Sequence, residues 1–160
     1  MLKIFIFITL LLIPLTVVPG ELNKTIISNQ VFYHIIKNNP NIDIIEAKKI
    51  ANYVVKHTSK FHINPKILSA ILAQESMYNN KAKNTTNDYS IGQINIVSIK
   101  QYKFDRSKMM LDVDYAISCS AKILNDIKLK HGLEHNWWSR YHSKTRNKRI
   151  IYEKLVKKYL

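Results

Sequence analysis

A chain of 160 residues with 46% hydrophobic content has the length and apolar share of one folded domain with its own core. Its single cysteine, Cys119, excludes an internal disulfide, so packing alone must hold the domain. The formal net charge of +14 points to an anionic partner or surface, unless it only reflects the Lys-, Asn-, Ile- and Tyr-rich composition of an AT-rich genome.

The chain opens with Lys3, an uncharged apolar run from Ile4 to Val18, and Pro19-Gly20. That order reads as a secretory signal peptide over residues 1–20, leaving one domain over 21–160 that begins near Glu21. The other reading is an uncleaved anchor, although the run is short for a span and Pro14 interrupts it. Contact with a membrane is expected only in that second case. Export turns the search for an anionic partner away from nucleic acid and toward wall polymers and phospholipid head groups.

Most of the mature chain reads as helix. A first segment covers about Lys24 to Lys37 and stops at Asn38-Asn39-Pro40. Asp43, with Glu46 three residues on, predicts the start of a second helix, which carries Ala47, Ile50, Ala51, Val54 and Val55 at helical spacing to about Lys60. Asn64-Pro65 predicts a third start, with Asn as cap and Pro at the first helical position, and this helix runs to about Met77. Lys81 to Tyr89 is polar and reads as a loop with only a weak hairpin signal. Gln93 to Tyr102 reads as a short helix. Asp112 caps a helix bearing Ile117, Ala121, Leu124 and Ile127, for which Gly132 is a natural C-cap. Shorter helices are expected from about Trp137 to His142 and from about Asn147 to Leu160. The last carries Lys148, Arg149, Lys154, Lys157 and Lys158 and reads as a solvated basic face. Cys119 reads as a small core residue. Core packing is expected for at least one of Trp137 and Trp138. The histidines show no metal-ligand spacing, and neither a metal nor a cofactor is expected.

Glu75 stands out. Counting back by fours from it reaches Ile71 and Ile67, so its carboxylate continues an apolar stripe near the C-terminal end of the third helix. Desolvation and the negative end of the helix dipole both disfavour its charged form there. A carboxylic acid kept protonated near neutral pH suits cleavage of a glycosidic bond. Gly92 lies beside Gln93, farther along a chain with only three glycines, which suggests a turn that needs a glycine backbone. The amide of Gln93 can both donate to and accept from a sugar hydroxyl or N-acetyl group.

Glu75-Ser76, a polar loop, and then Ser90-Ile91-Gly92-Gln93-Ile94 resemble the catalytic domain of the soluble lytic transglycosylases (SLT), with Ile63-Asn64-Pro65 as lead-in. Ser90 stands for the first Gly of the family's Gly-Leu-Met-Gln-Ile, and Gly92 for its Met. Arg140-Tyr141-His142-Ser143-Lys144 takes the place of Ala-Tyr-Asn-x-Gly, and Tyr152 and Val156 match a later Tyr and Val. The variant looks most like the small exported enzymes associated with secretion systems, conjugation and phage.

The resemblance implies a mainly α fold of the lysozyme-like α+β superfamily, with little or no β structure and one long cleft loop. It implies a peptidoglycan glycan strand as substrate. Glu75 would protonate the oxygen between N-acetylmuramic acid and N-acetylglucosamine and then act as base on the muramoyl C6 hydroxyl, giving a 1,6-anhydro end. Gln93 would bind substrate near that bond, Tyr141 would orient Glu75 or the sugar across the cleft, and Ser76, Asp88 and Tyr152 would contribute further contacts. The implied setting is the periplasm or cell envelope, where the enzyme would open the wall locally for an envelope-spanning machine. Asp88-Tyr89 also resembles the second-carboxylate region of animal-type lysozymes, so a muramidase using water stays open, as does a basic wall-binding protein without activity.

Overall fold

The computed structural model describes residues 19–160. The expected leader therefore lies outside the described residues except for Pro19 and Gly20. These begin α1 (Pro19–Asn38), which starts earlier than the sequence pattern predicts. It is followed by α2 (Ile44–Lys60), α3 (Pro65–Ser76), a two-stranded antiparallel hairpin of β1 (Asp88–Tyr89) and β2 (Ile94–Asn95), α4 (Ile96–Tyr102), α5 (Arg106–Leu111) and α6 (Val113–His131). A 3-10 helix (Trp137–Tyr141), α7 (Arg146–Val156) and a final 3-10 turn (Lys157–Tyr159) complete the chain. The fold is mainly α with a minimal sheet. No helix among the described residues is long and apolar enough to cross a membrane.

The caps explain most boundaries. Asp43 accepts from the Glu46 amide at 2.9 Å and Asn64 from the Lys66 amide at 3.0 Å. Asn95, Asp105 and Asp112 begin α4, α5 and α6 in the same way. Each side-chain oxygen satisfies one amide that the first helical turn leaves without a partner. Gly132 caps the C-terminus of α6, as expected, in right-handed conformation (φ −61°), with its amide on the Lys128 carbonyl at 2.7 Å.

The core is built around α3. Leu68 through Ala73 are all buried, because α1, α2, α6 and α7 surround this helix. A helix enclosed on all sides has no solvent face, so the side chains at its open end enter the space between its neighbours. Met77 and Tyr78 then turn the chain with φ of 52° and 66°, and the Met77 amide closes the helix on the Ala73 carbonyl at 2.9 Å. The C-terminus is tied back to α1: Tyr78 Oη meets Ser69 Oγ at 3.1 Å, Ser69 Oγ meets His34 Nδ1 at 3.0 Å, and His34 Nε2 meets the Tyr159 carbonyl. This chain of contacts holds the final 3-10 turn against α1 and α3. Trp138 is buried and Trp137 packs against the core. Cys119 is a buried core residue whose thiol burial pushes up to about 11.

Candidate active site

Glu75 is delivered by the last turn of α3 into the gap between α7 and the hairpin. It lies between two adjoining cavities and lines both, as does His142. One cavity, of about 400 Å³, is walled by Asn84, Thr86, Asp88, Gln93, Asn95 and Tyr141, among others. The other, of about 300 Å³, is walled by Gln74, Lys148, Ile151, Tyr152 and Leu155. Together they form one cleft with Glu75 at its waist. Neither is the largest cavity: a groove of about 510 Å³ between α1 and α2 is bigger, but its walls contain no carboxylate.

Burial pushes the Glu75 carboxyl up to about 7. The hydroxyl of Tyr152 opposes this by donating to Oε1 at 2.6 Å, and the charge of Asp88 adds to the upward shift. Tyr152 is itself buried, and burial raises its phenol well above the usual range, so it remains a donor. The ring of His142 stacks on it, 4.9 Å between centroids and 10° from parallel.

Asp88 has the opposite surroundings. Partial burial pushes its carboxyl up, but Thr86, Asn84 and Asn95 hydrogen bonds and the charge of His142 outweigh this and leave it below the ordinary value. Thr86 and Asn84 donate to Oδ2 at 2.5 and 2.6 Å, and Asn95 donates to Oδ1 at 2.7 Å. Asn84 organises the loop, because its Oδ1 also accepts the Thr86 and Asp88 amides, the pattern of an Asx turn.

The glycine turn supports both walls. The hydroxyl of Ser76 donates to the Ile91 carbonyl at 2.7 Å, and that of Tyr141 to the Gly92 carbonyl at 3.0 Å. Ser76 thus engages the protein backbone and does not line the cleft cavities. The amide of Gln93 donates to the Ser90 carbonyl at 3.0 Å, which leaves its Oε1 as the unengaged end in the cleft. Gly92 is required for space and not for backbone freedom. Its φ is not positive, but a Cβ there would sit 2.1 Å from Ser120 Oγ and 2.8 Å from Tyr141 Oη. The left-handed positions are its neighbours, Ser90 (φ 67°) and Gln93 (φ 44°).

The structure therefore brings Glu75, Asp88, Gln93, Tyr141 and Tyr152 to one cleft and sets Ser76 just behind it. Of the two tyrosines, Tyr152 bonds to Glu75, while Tyr141 lines the cleft and buttresses the turn. Asn84, Asn95 and His142 are cleft residues that the sequence patterns do not single out. The Asn84-Thr-Thr-Asn-Asp spacing is the available signal for Asn84. Neither tryptophan lines the cleft. No group of three or more His, Cys, Asp or Glu side chains among the described residues is arranged to hold a metal ion.

A mainly helical domain with a single raised carboxyl at the waist of a polar cleft, opposite a small hairpin, has the architecture of a lysozyme-like glycan-cleaving enzyme. The sequence model of the transglycosylase SLT domain matches residues 52–143, more than half of the chain, and the chain belongs to that family. It is accordingly a peptidoglycan lytic transglycosylase, a glycosidic-bond lyase. The match ends before α7, so Tyr152 lies outside the matched residues. Neither a curated protein nor a solved structure matches the chain.

Proposed function

We propose that Glu75 is the sole acid–base of this enzyme and that the product carries a 1,6-anhydro-N-acetylmuramoyl end. The observation that carries the reading is the placement of Glu75: half-buried at the waist of the cleft, raised to about 7, and held by one phenol donor. In the first step its proton goes to the bridging oxygen as the bond from that oxygen to the muramoyl C1 breaks. The resulting carboxylate then takes the proton of the C6 hydroxyl on the same sugar as O6 bonds to C1. No water is consumed, and Glu75 ends protonated, ready for the next strand. A group whose pKa lies near the working pH serves both halves of this cycle.

Asp88 takes a supporting part. Both of its oxygens are occupied by donors from its own hairpin, which favours a fixed charge over a nucleophile. That charge helps keep the proton on Glu75 and lies in the cleft where positive charge develops on the sugar. Gln93 offers its free carbonyl oxygen to a sugar hydroxyl or N-acetyl N–H. The leader read over residues 1–20, with a domain from 21 to 160, suits export to the periplasm or cell envelope and local opening of the wall for a secretion, conjugation or phage assembly.

The test is mass spectrometry of purified peptidoglycan digested by the protein. Ends one water lighter than reducing muramic acid support the reading, and their absence in Glu75→Gln ties them to this residue. Reducing muramic ends would instead assign a water-using muramidase with Asp88 as its second carboxylate.

A further inference from the structure

His142 has no part in the mechanism so far, yet it lines both halves of the cleft. It follows the 3-10 helix as its C-terminal cap and is exposed. Its ring nevertheless lies on that of Tyr152, a buried residue, with 4.9 Å between centroids and 10° between planes. That separation and tilt fall in the range of an offset aromatic stack. The family's Ala-Tyr-Asn-x-Gly has an amide at this place, which offers no aromatic ring.

The stack is one link in a chain of contacts that runs from the hairpin to the acid. Tyr141, the preceding residue, donates to the Gly92 carbonyl at 3.0 Å, so the backbone that carries His142 is pinned to the glycine turn. His142 then covers the ring whose hydroxyl donates to Glu75 Oε1 at 2.6 Å. A phenol hydroxyl lies in its ring plane, so whatever packs on the ring face sets where the hydroxyl points. The donors to Asp88 are Thr86, Asn84 and Asn95, and the imidazole is not one of them. Glu75, Asp88 and Lys148, with the phenols of Tyr141 and Tyr152, are the charged and titratable groups that share the two cavities with His142.

We propose that His142 is a positioning residue: its ring, stacked on Tyr152, holds that phenol on Glu75 Oε1. The inference rests on the reading of Glu75 as acid–base given above. Glu75 has one side-chain donor, so its orientation depends on where that donor is held. A displaced phenol costs rate, because the carboxyl no longer faces the bridging oxygen in a fixed direction. It also releases the bond that opposes the upward pull of burial on this carboxyl. The task belongs to the flat ring of His142 and not to its charge, so an uncharged aromatic ring serves equally well.

The test combines carbon-13 NMR titration of the Glu75 carboxyl with initial rates on uncross-linked glycan strands. His142→Ala is expected to move the Glu75 titration upward, by less than Tyr152→Phe does. Its kcat should fall roughly two- to tenfold, with KM held within about twofold. His142→Phe, which keeps a ring without the charge, should match the wild type in both readouts. In the Tyr152→Phe background, His142→Ala should add no further shift, because no hydroxyl is left to position. An unmoved titration in His142→Ala would overturn the proposal, and so would an additive shift in the double variant. An equal shift in His142→Phe would assign the effect to charge, and a raised KM at constant kcat would make His142 a sugar contact; either overturns it. Wild-type turnover by Glu75→Gln would instead sink the acid–base reading itself, and the positioning role would fall with it.

Discussion

Two carboxylates share one cleft under opposite conditions. Glu75 ends a helix enclosed by four others and meets a single donor, Tyr152. Asp88 sits in a short hairpin and meets Thr86, Asn84 and Asn95. Burial disfavours charge on both, so the number of donors decides the outcome: Glu75 rises to about 7, and Asp88 falls below its ordinary value. One wall of the cleft thus stores a proton while the other stores a charge. Packing creates the first condition and loop hydrogen bonding the second.

The harshest way to break this contrast is to remove the stored proton. Glu75→Gln should lower turnover by about 10³-fold while leaving the helical circular dichroism unchanged. The same substitution has a stability signature with a definite sign. Between an unfolded value near 4.5 and a folded value of about 7, the native protein binds the extra proton, so this group's contribution is full below about 4.5 and is lost as pH rises to 7. Glu75→Gln abolishes that loss and should therefore gain on wild type between pH 5 and 8, by up to about 3 kcal/mol in denaturant titrations. Asp88 contributes the opposite slope, present above its ordinary value and lost as pH falls through its depressed one.

Next in size is the support common to both walls. Gly92→Ala forces a Cβ against Ser120 and Tyr141, and should cost about 1–3 kcal/mol of stability together with activity. An unchanged melting temperature would mean the turn relaxes freely and is not the buttress described. Tyr152→Phe then removes the one donor to Glu75. Because that bond holds the carboxyl down, the limb of the pH–rate profile set by Glu75 should move upward, which a pH series of initial rates checks. Asp88→Asn should move the same limb downward and cost less than about tenfold in rate, since only a nearby charge is lost. A loss as deep as that of Glu75→Gln would erase the contrast and make the pair a hydrolytic one.

Much of this is legible in the chain itself, for local reasons. Asp43, Asn64 and Asp112 mark helix starts because a cap needs only its own neighbours. Glu75 is visible because an acid in line with Ile67 and Ile71 breaks a simple pattern. Its environment is less so: the stripe argument treats α3 as two-faced, whereas Leu68 through Ala73 are all buried. The short α5 escapes a sequence reading, although Asp105 caps it, because six residues carry little periodicity. Its last carbonyls, those of Met109 and Met110, are bonded by Asn80, a tertiary contact with no local trace. Gly92 stands out in the sequence for the wrong physical property, since crowding by Ser120 and Tyr141 arises only once α6 and the 3-10 helix are in place. The pairing of Tyr152 with Glu75 likewise depends on α7 folding back along α3 over a separation of 77 residues.

The contrast between the two carboxylates is tested most directly by titrating them one by one, with carbon-13 NMR of the Glu and Asp carboxyls and Glu75→Gln and Asp88→Asn for assignment. The structure predicts Glu75 titrating near pH 7 and Asp88 below the usual aspartate range. A Glu75 that titrates near the ordinary glutamate value of 4.5 would contradict a stored proton at the waist of the cleft, and with it the acid–base role built on that proton.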